Sequence, residues 1–200
     1  MEKTKVLFVH QEITPYLEEN PISIIGRNLP EGIQMKGKEI RIFMPRFGNI
    51  NERRNQLHEV IRLSGMNLII DDTDHQLIIK VASIPAARIQ VYFIDNEEFF
   101  KRRFVVKDEA GNDFADNDER AIFFARGVLE TVKKFGGIDI LINNAGIGVN
   151  NSIENLTLTD YEKMIAVNVT GVFVATQEAV KYMKAGARII HIGSSMVKYS

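Results

Sequence analysis

The chain has 200 residues, enough for one sizeable domain or two very small ones, and an ordinary globular composition with 45% apolar residues. Its net charge of -1 gives no general attraction to nucleic acid or to an anionic membrane, so neither is expected as a partner. Because it has no cysteine, the sequence excludes disulfides and thiolate catalysis, and its four scattered histidines give no metal-ligand spacing.

The first residues predict a strand, a helix and a second strand. The apolar run at Lys5–Val9 predicts a buried parallel strand and is too short for a signal peptide or a membrane span, so a cytoplasmic protein is expected. A helix is predicted over Ile22–Met35, with Pro30 bending or splitting it and Gly37 ending it. The run Ile40–Met44 predicts the second strand.

The spacing of apolar residues changes between residues 56 and 94. Leu68–Ile70 and Leu77–Val81 are apolar runs on either side of a polar turn, which predicts an antiparallel hairpin. Arg88–Ile94 predicts a further strand, and the polar residues 95–116 predict an irregular segment.

The rest of the chain returns to alternating helices and strands. The predicted elements are the helix Asp118–Phe135, the strand Ile138–Ile142, a long helix over Asp160–Lys184 and the strand Arg188–Ile192. The first helix is capped by one of the residues 116–118 and ends at Gly136 and Gly137. A capping box at Thr159–Glu162 opens the long helix, and Gly186 ends it.

This order of elements predicts the fold class. Alternating strands and helices indicate an α/β protein with a three-layer, doubly wound, mainly parallel Rossmann-like sheet, here with an antiparallel hairpin insert. Since no linker or low-complexity run divides the sequence, residues 1–200 are expected to form a single composite domain.

The first 135 residues carry several motifs in a shared order. These are Lys5–Val9, Glu12–Pro15, Leu29–Pro30, Ile42–Gly48, Val91–Asn96 and Asp116–Arg126. Together they resemble the N-terminal domain of bacterial glycogen synthases and plant starch synthases. The resemblance implies transfer of glucose from a sugar nucleotide to a glucan, in a site between two Rossmann-like domains.

That family binds a diphosphate through a Lys-x-Gly-Gly loop after the first strand, where glycines admit the phosphates to a helix N-terminus. The corresponding residues here are Glu18, Glu19, Asn20 and Pro21. Two carboxylates in this place would repel a diphosphate, and they are interpreted as solvated loop charges. His10, at the end of the first strand, fits a structural role as well as a binding role.

From Gly136 onward the motifs are those of another family. Gly137–Gly146, Met164–Gly171 and Ile189–Ser195 resemble the short-chain dehydrogenase/reductase family. The resemblance implies that Asn168 holds a water in a proton relay and that Ser195, rather than Ser194, positions the substrate carbonyl. It places Asn143, Ala145 and Gly146 beside a nicotinamide dinucleotide. With partner groups missing, these residues also fit a purely structural role, ending a strand or bonding neighbouring backbone.

Two further parts of the dehydrogenase site are missing from residues 1–200. The family uses a Tyr-x-x-x-Lys pair shortly after the serine, and no such pair follows Ser195; Tyr199 has no lysine four residues on. The family also binds its cofactor through a glycine-rich turn after the first strand, whereas no glycine precedes Gly26.

We therefore interpret the sequence as an engineered or accidental chimera of two Rossmann-like fragments, joined between equivalent helix and strand positions, with no complete active site and no cofactor. Two alternatives stay open: an NAD(P)-dependent short-chain oxidoreductase, and a degenerate synthase-like domain that binds glucan or sugar nucleotide. The long helix at 160–184 is expected to expose Val169, Val172, Phe173 and Val180, which favours a homo-oligomer.

Overall fold

A computed structural model describes residues 4–143, 148–149, 151–191 and 193. The chain divides into two compact units, Met1–Gly136 and Gly137–Ser200, which meet one residue from the predicted join. The first unit contains β1 (Lys5–Val9), α1 (Pro21–Met35), β2 (Glu39–Pro45), β3 (His58–Glu59), β4 (Met66–Ile70), β5 (Thr73–Ile84), β6 (Ile89–Asp95), α2 (Glu97–Phe100) and α3 (Asn117–Lys134). The second contains β7 (Ile138–Asn143), α4 (Leu158–Ile165), a π-helical turn (Ala166–Thr170), α5 (Gly171–Val180) and β8 (Met183–His191).

The sheet of the first unit has the strand order β3-β5-β6-β2-β1. Its centre is parallel: β1 pairs with β2, and β2 pairs with β6. The long strand β5 runs antiparallel to β6, and β3 and β4 each pair antiparallel with β5. The predicted α/β Rossmann-like class with an antiparallel hairpin insert is confirmed.

The hairpin turn between β4 and β5 consists of Asp71 and Asp72, both in the left-handed region with φ of 44° and 59°. Two consecutive left-handed residues match the twist of the flanking strands, and aspartate tolerates this conformation better than most residues. The polar turn predicted between the two apolar runs is therefore present.

Helix α3 packs closely on the sheet at Gly127. A Cβ atom at this position would lie 2.8 Å from Cγ2 of Ile94 and 3.0 Å from Cδ1 of Leu77, so only glycine fits without a shift. Ile94 and Leu77 are fully buried residues of β6 and β5. Helix α3 is thus closely fitted to the sheet of the first unit.

Three predictions for the first unit need correction. Pro30 does not split α1, which continues through it, while a bend at Pro30 stays a prediction. The segment 95–116 is not wholly irregular, because it contains the short helix α2. Asn96 caps this helix, and its residues Phe99 and Phe100 are buried. Asp116 precedes α3 but makes no side-chain cap there, since its carboxylate accepts two hydrogen bonds from the Arg102 guanidinium.

Within the described residues of the second unit, β7 and β8 pair in parallel and are connected through helices. The single helix predicted over 160–184 is wrong: it is interrupted by the π-helical turn at Ala166–Thr170 and ends at Val180. Three of the five residues in that turn are β-branched, which crowds a regular helix. The capping box is formed by Thr157 and Asp160 rather than Thr159 and Glu162: Thr157 Oγ1 accepts from the Asp160 N–H, and an Asp160 carboxylate oxygen accepts from the Thr157 N–H.

The prediction that Gly186 ends a helix is wrong, because Gly186 lies inside β8 with a φ of 91°. Strand β8 begins at Met183, five residues before the predicted strand, and its register with β7 is irregular between Ile138 and Ile140. A left-handed glycine accommodates the extra residues of such an irregularity. In the described part of the chain, no helix is both long and apolar enough to cross a bilayer.

Candidate functional site

The N-terminus of α1 is the place where the resemblance expects a diphosphate. Here Asn20 and Ser23 form a complete capping box: the Ser23 N–H donates to Asn20 Oδ1 and the Asn20 N–H donates to Ser23 Oγ, both at 2.9 Å. Pro21 at the first helical position offers no N–H at all. The Asn20 and Ser23 N–H groups are therefore used within the chain, and Pro21 has none to offer an anion.

The loop before α1 carries negative charge and is fixed by side-chain contacts. Asn20 Nδ2 donates to Oε2 of Glu12 at 2.6 Å, and Ser23 Oγ donates to the carbonyl of Glu18 at 2.9 Å. Glu18 and Glu19 are exposed, as predicted for solvated charges. Three carboxylates thus belong to the loop that leads into the helix, where an anionic ligand would meet repulsion.

His10 lies at the end of β1, in the position where α/β sheets commonly bind ligands. Its Nδ1 accepts a hydrogen bond from the Glu12 N–H at 3.3 Å, and its ring stacks on Phe8 with centroids 5.4 Å apart. Burial lowers the pKa of His10, so the neutral ring is favoured. A Cβ atom at Gly26 would collide with His10 and with the Glu12 carbonyl, which explains the glycine there.

Tyr16 is a buried residue of the same loop, and no motif or spacing in the sequence marks it. Its ring packs edge-on against Phe93 with centroids 4.9 Å apart. Burial raises its pKa to about 12, and its hydroxyl has no hydrogen-bond partner among the described residues. An apolar anchor at position 16 holds the loop against the sheet, in a place where the dehydrogenase family has a glycine-rich turn.

The dehydrogenase-like residues are brought together only in part. Asn143 ends β7, and its Nδ2 lies 3.2 Å from Thr176 Oγ1 and 3.1 Å from His191 Nδ1. Asn168 is exposed in the π-helical turn. The other predicted positions, Ala145, Gly146, Ser194 and Ser195, lie outside the described residues.

The contacts of Asn143 are those of a strand end that is tied to the neighbouring strand and helix. Asn143 pairs in register with His191 across the two strands, and Thr176 belongs to α5. These bonds account for an asparagine at this position without a cofactor. The predicted role of Asn143 beside a dinucleotide and that of Asn168 in a proton relay stay predictions.

Two family models match the sequence. The starch synthase catalytic domain matches residues 5–144, and short chain dehydrogenase matches residues 115–200. The matches overlap over residues 115–144, which contain α3 and β7. The predicted composition of a synthase-like and a dehydrogenase-like segment is confirmed.

Curated relatives support the first match. Glycogen synthase of Chlorobium phaeobacteroides is 38% identical over 133 residues, which cover 66% of this chain and 27% of that protein. Glycogen synthase of Chlorobaculum tepidum is likewise 38% identical over 133 residues, with the same coverage. The chain therefore spans about a quarter of the length of these relatives.

Solved structures resemble both segments. The catalytic domain of starch synthase IV from Arabidopsis thaliana, bound to ADP and acarbose, has a TM-score of 0.58 and 19% identity over 70% of this chain and 28% of that one. A mutant of a short-chain dehydrogenase/reductase from Serratia marcescens has a TM-score of 0.51 and 25% identity over 96% of this chain and 56% of that one. The first likeness establishes the fold alone.

Proposed function

Since residues 5–144 make this chain a member of the starch synthase catalytic domain family, we propose that it combines fragments of two Rossmann-like families without a complete active site and without catalytic activity. The chimera acts as a folded scaffold whose inherited motifs serve packing. Its origin, by engineering or by accident, is part of this proposal.

The observation that carries the proposal is the filled N-terminus of α1. A diphosphate is held at such a terminus by free backbone N–H groups, by close approach over glycines and by a nearby cation. Here Ser23 and Asn20 use each other's N–H groups, Pro21 has none, and Glu12 binds the Asn20 side chain. Two N–H groups at this terminus are thus used within the chain, residues 18–21 contain no glycine, and the nearby charged side chain is a carboxylate.

The same loop argues against hydride transfer. A nicotinamide dinucleotide needs close backbone approach after the first strand, which glycines permit. In that place the chain has the buried side chains of Ile13 and Tyr16, and Gly26 is closed off by His10 and the Glu12 carbonyl. We accordingly expect no cofactor. NAD(P) would be the cofactor only under the alternative hypothesis, in which the chain is a short-chain oxidoreductase that uses Asn168 and Ser195.

Thermal unfolding in the presence of single ligands tests the proposal. A ligand that binds only the folded state raises the midpoint by mass action. NADH, NADPH, ADP-glucose and a maltooligosaccharide, added separately, are each expected to leave the midpoint unchanged. A rise with either dinucleotide would overturn the proposal in favour of the oxidoreductase, and a rise with ADP-glucose or the maltooligosaccharide would favour a synthase-like binding domain.

A further inference from the structure

Four charged side chains meet at the carboxyl ends of the parallel strands β2 and β6. Arg46 directly follows β2, and its backbone N–H donates to the Ile94 carbonyl at 2.9 Å. This bond holds Arg46 beside Asp95, the last residue of β6. Lys80 reaches the same place from β5, and Glu52 from the loop between β2 and β3. We call these four residues the edge cluster.

The centre of the edge cluster is the Asp95 carboxylate, which is only 2% exposed. Its Oδ1 accepts from Arg46 Nε at 2.9 Å, and its Oδ2 lies 2.8 Å from Lys80 Nζ. Both oxygens of this buried carboxylate are therefore satisfied by cations. Two cations around one carboxylate leave an excess of positive charge, which a half-buried place does not tolerate without a further anion.

Glu52 supplies that anion from the solvent side. One oxygen, Oε1, accepts from Lys80 Nζ at 2.7 Å and lies 3.3 Å from Arg46 Nε. The Glu52 side chain is 37% exposed, against 7% for Arg46 and 18% for Lys80. A single oxygen between an arginine and a lysine has the placement of a bound oxyanion.

The two cations are well suited to keep such a site charged. Burial alone would lower the pKa of Lys80, but its hydrogen bonds to Asp95 and Glu52 outweigh burial and raise the pKa above its ordinary value. Arg46 is charged at any working pH because of its guanidinium chemistry. The carboxyl ends of parallel strands are also where open α/β sheets bind their ligands.

We propose that Arg46 and Lys80 form a binding site for a small oxyanion, a phosphate or a carboxylate, and that Glu52 is its intramolecular occupant. Asp95 holds the two cations from the buried side. It is not displaced by an added anion, because its carboxylate is buried and both oxygens are bonded. Glu52 is the exchangeable member, because its side chain reaches solvent and it lies on a loop. None of its four residues belongs to the loop or the capping box at the N-terminus of α1.

The test removes the occupant's charge and offers inorganic phosphate. Glu52→Gln keeps the shape of the side chain, and its unfolding midpoint is expected to rise with phosphate relative to chloride at equal ionic strength. Wild type is expected to bind phosphate roughly tenfold more weakly, since Glu52 competes for the site. Acetate in place of phosphate distinguishes a site for carboxylates from one that needs a phosphate.

Matched variants make the result decisive. Glu130→Gln removes a carboxylate that pairs with Lys133 on α3 and is expected to respond as wild type does. Adding Lys80→Met to Glu52→Gln is expected to abolish the phosphate response. If Glu52→Gln does not fold, Glu52→Asp retracts the carboxylate by one methylene and is expected to give an intermediate response. Equal responses in wild type, Glu130→Gln and whichever Glu52 variant folds would overturn the proposal.

Discussion

The side-chain amide of Asn20 donates a 2.6 Å hydrogen bond to Oε2 of Glu12, joining the residue that caps α1 to the loop that follows β1. This bond ties the strand end to the helix start across the place where a diphosphate would lie. A glycine at position 20 would have neither the cap nor the bond. The asparagine at the position where the resemblance implies a glycine therefore supplies both the cap and the bond.

The capping box at α1 gives the first prediction. Asn20→Ala removes the side chain that accepts from the Ser23 N–H and is expected to lower the free energy of unfolding by about 1 kcal/mol. Asn28→Ala, at an exposed position within the same helix, is the matched control and is expected to be neutral or slightly stabilising. Urea unfolding of both variants measures the difference. Equal stabilities would show that the box contributes nothing.

The close contact of α3 with the sheet gives the second prediction. Gly127→Ala places a methyl group 2.8 Å from Ile94 Cγ2 and is expected to destabilise the fold by about 1–3 kcal/mol. Gly32→Ala in α1, where a Cβ atom meets nothing within 4 Å, is expected to stabilise by about 0.5–1 kcal/mol. Chemical denaturation of the pair gives the comparison, and a stabilising Gly127→Ala would refute this account of the packing.

His10 gives a prediction about pH. Its pKa is lowered by burial in the folded chain, while the unfolded chain has the ordinary value of about 6.5. As the pH falls below that value, the unfolded chain takes up a proton that the folded chain resists, so stability is expected to fall. The loss is complete once the pH lies below the lowered folded pKa.

Two histidine variants check this assignment. His10→Gln is expected to flatten the dependence of unfolding free energy on pH below about 6.5. His58→Gln, at an exposed position in β3, is expected to leave the slope as in wild type. Denaturant unfolding over a series of pH values measures the slopes. A slope unchanged in His10→Gln would assign it to other groups.

The second unit gives a prediction about self-association. Of the four residues expected to be exposed, Val169, Phe173 and Val180 are exposed and Val172 is half-buried; Phe173 is 61% exposed. We expect this apolar face to drive formation of a homo-oligomer at high concentration. Phe173→Ser should weaken it, whereas Phe104→Ser, at another exposed phenylalanine, should not. Sedimentation velocity that finds a monomer at every concentration would contradict the prediction.

The strands and the hairpin could be predicted from the sequence because their signals are local. Apolar runs located β1, β2, β6 and β7, and the polar residues 71–74 between two apolar runs located the β4–β5 turn. The π-helical turn and the irregularity at Gly186 could not be predicted, because both depend on how neighbouring residues crowd in three dimensions. Glycine 186 is equally compatible with ending a helix and with bulging a strand.

The residues of the candidate site could be predicted from the sequence, but the contacts between them could not. Glu18, Asn20 and Pro21 stand at the positions where the resemblance implies a lysine and two glycines, and this could be recognised from the sequence. The bond from Asn20 to Glu12 spans eight residues, and no periodicity signals it. The edge cluster could not be predicted from the sequence, because Arg46 and Asp95 lie 49 residues apart and meet only through the pairing of β2 with β6.

Calorimetric titration of ADP into wild type and into the triple variant Glu18→Lys, Asn20→Gly, Pro21→Gly tests the central claim most directly. The variant restores the lysine and both glycines of the family's loop, frees backbone N–H groups at α1 and removes one carboxylate. We expect no binding heat for wild type and measurable binding for the triple variant. Binding of ADP by wild type that the triple substitution does not strengthen would contradict the claim that the filled helix terminus closes the site.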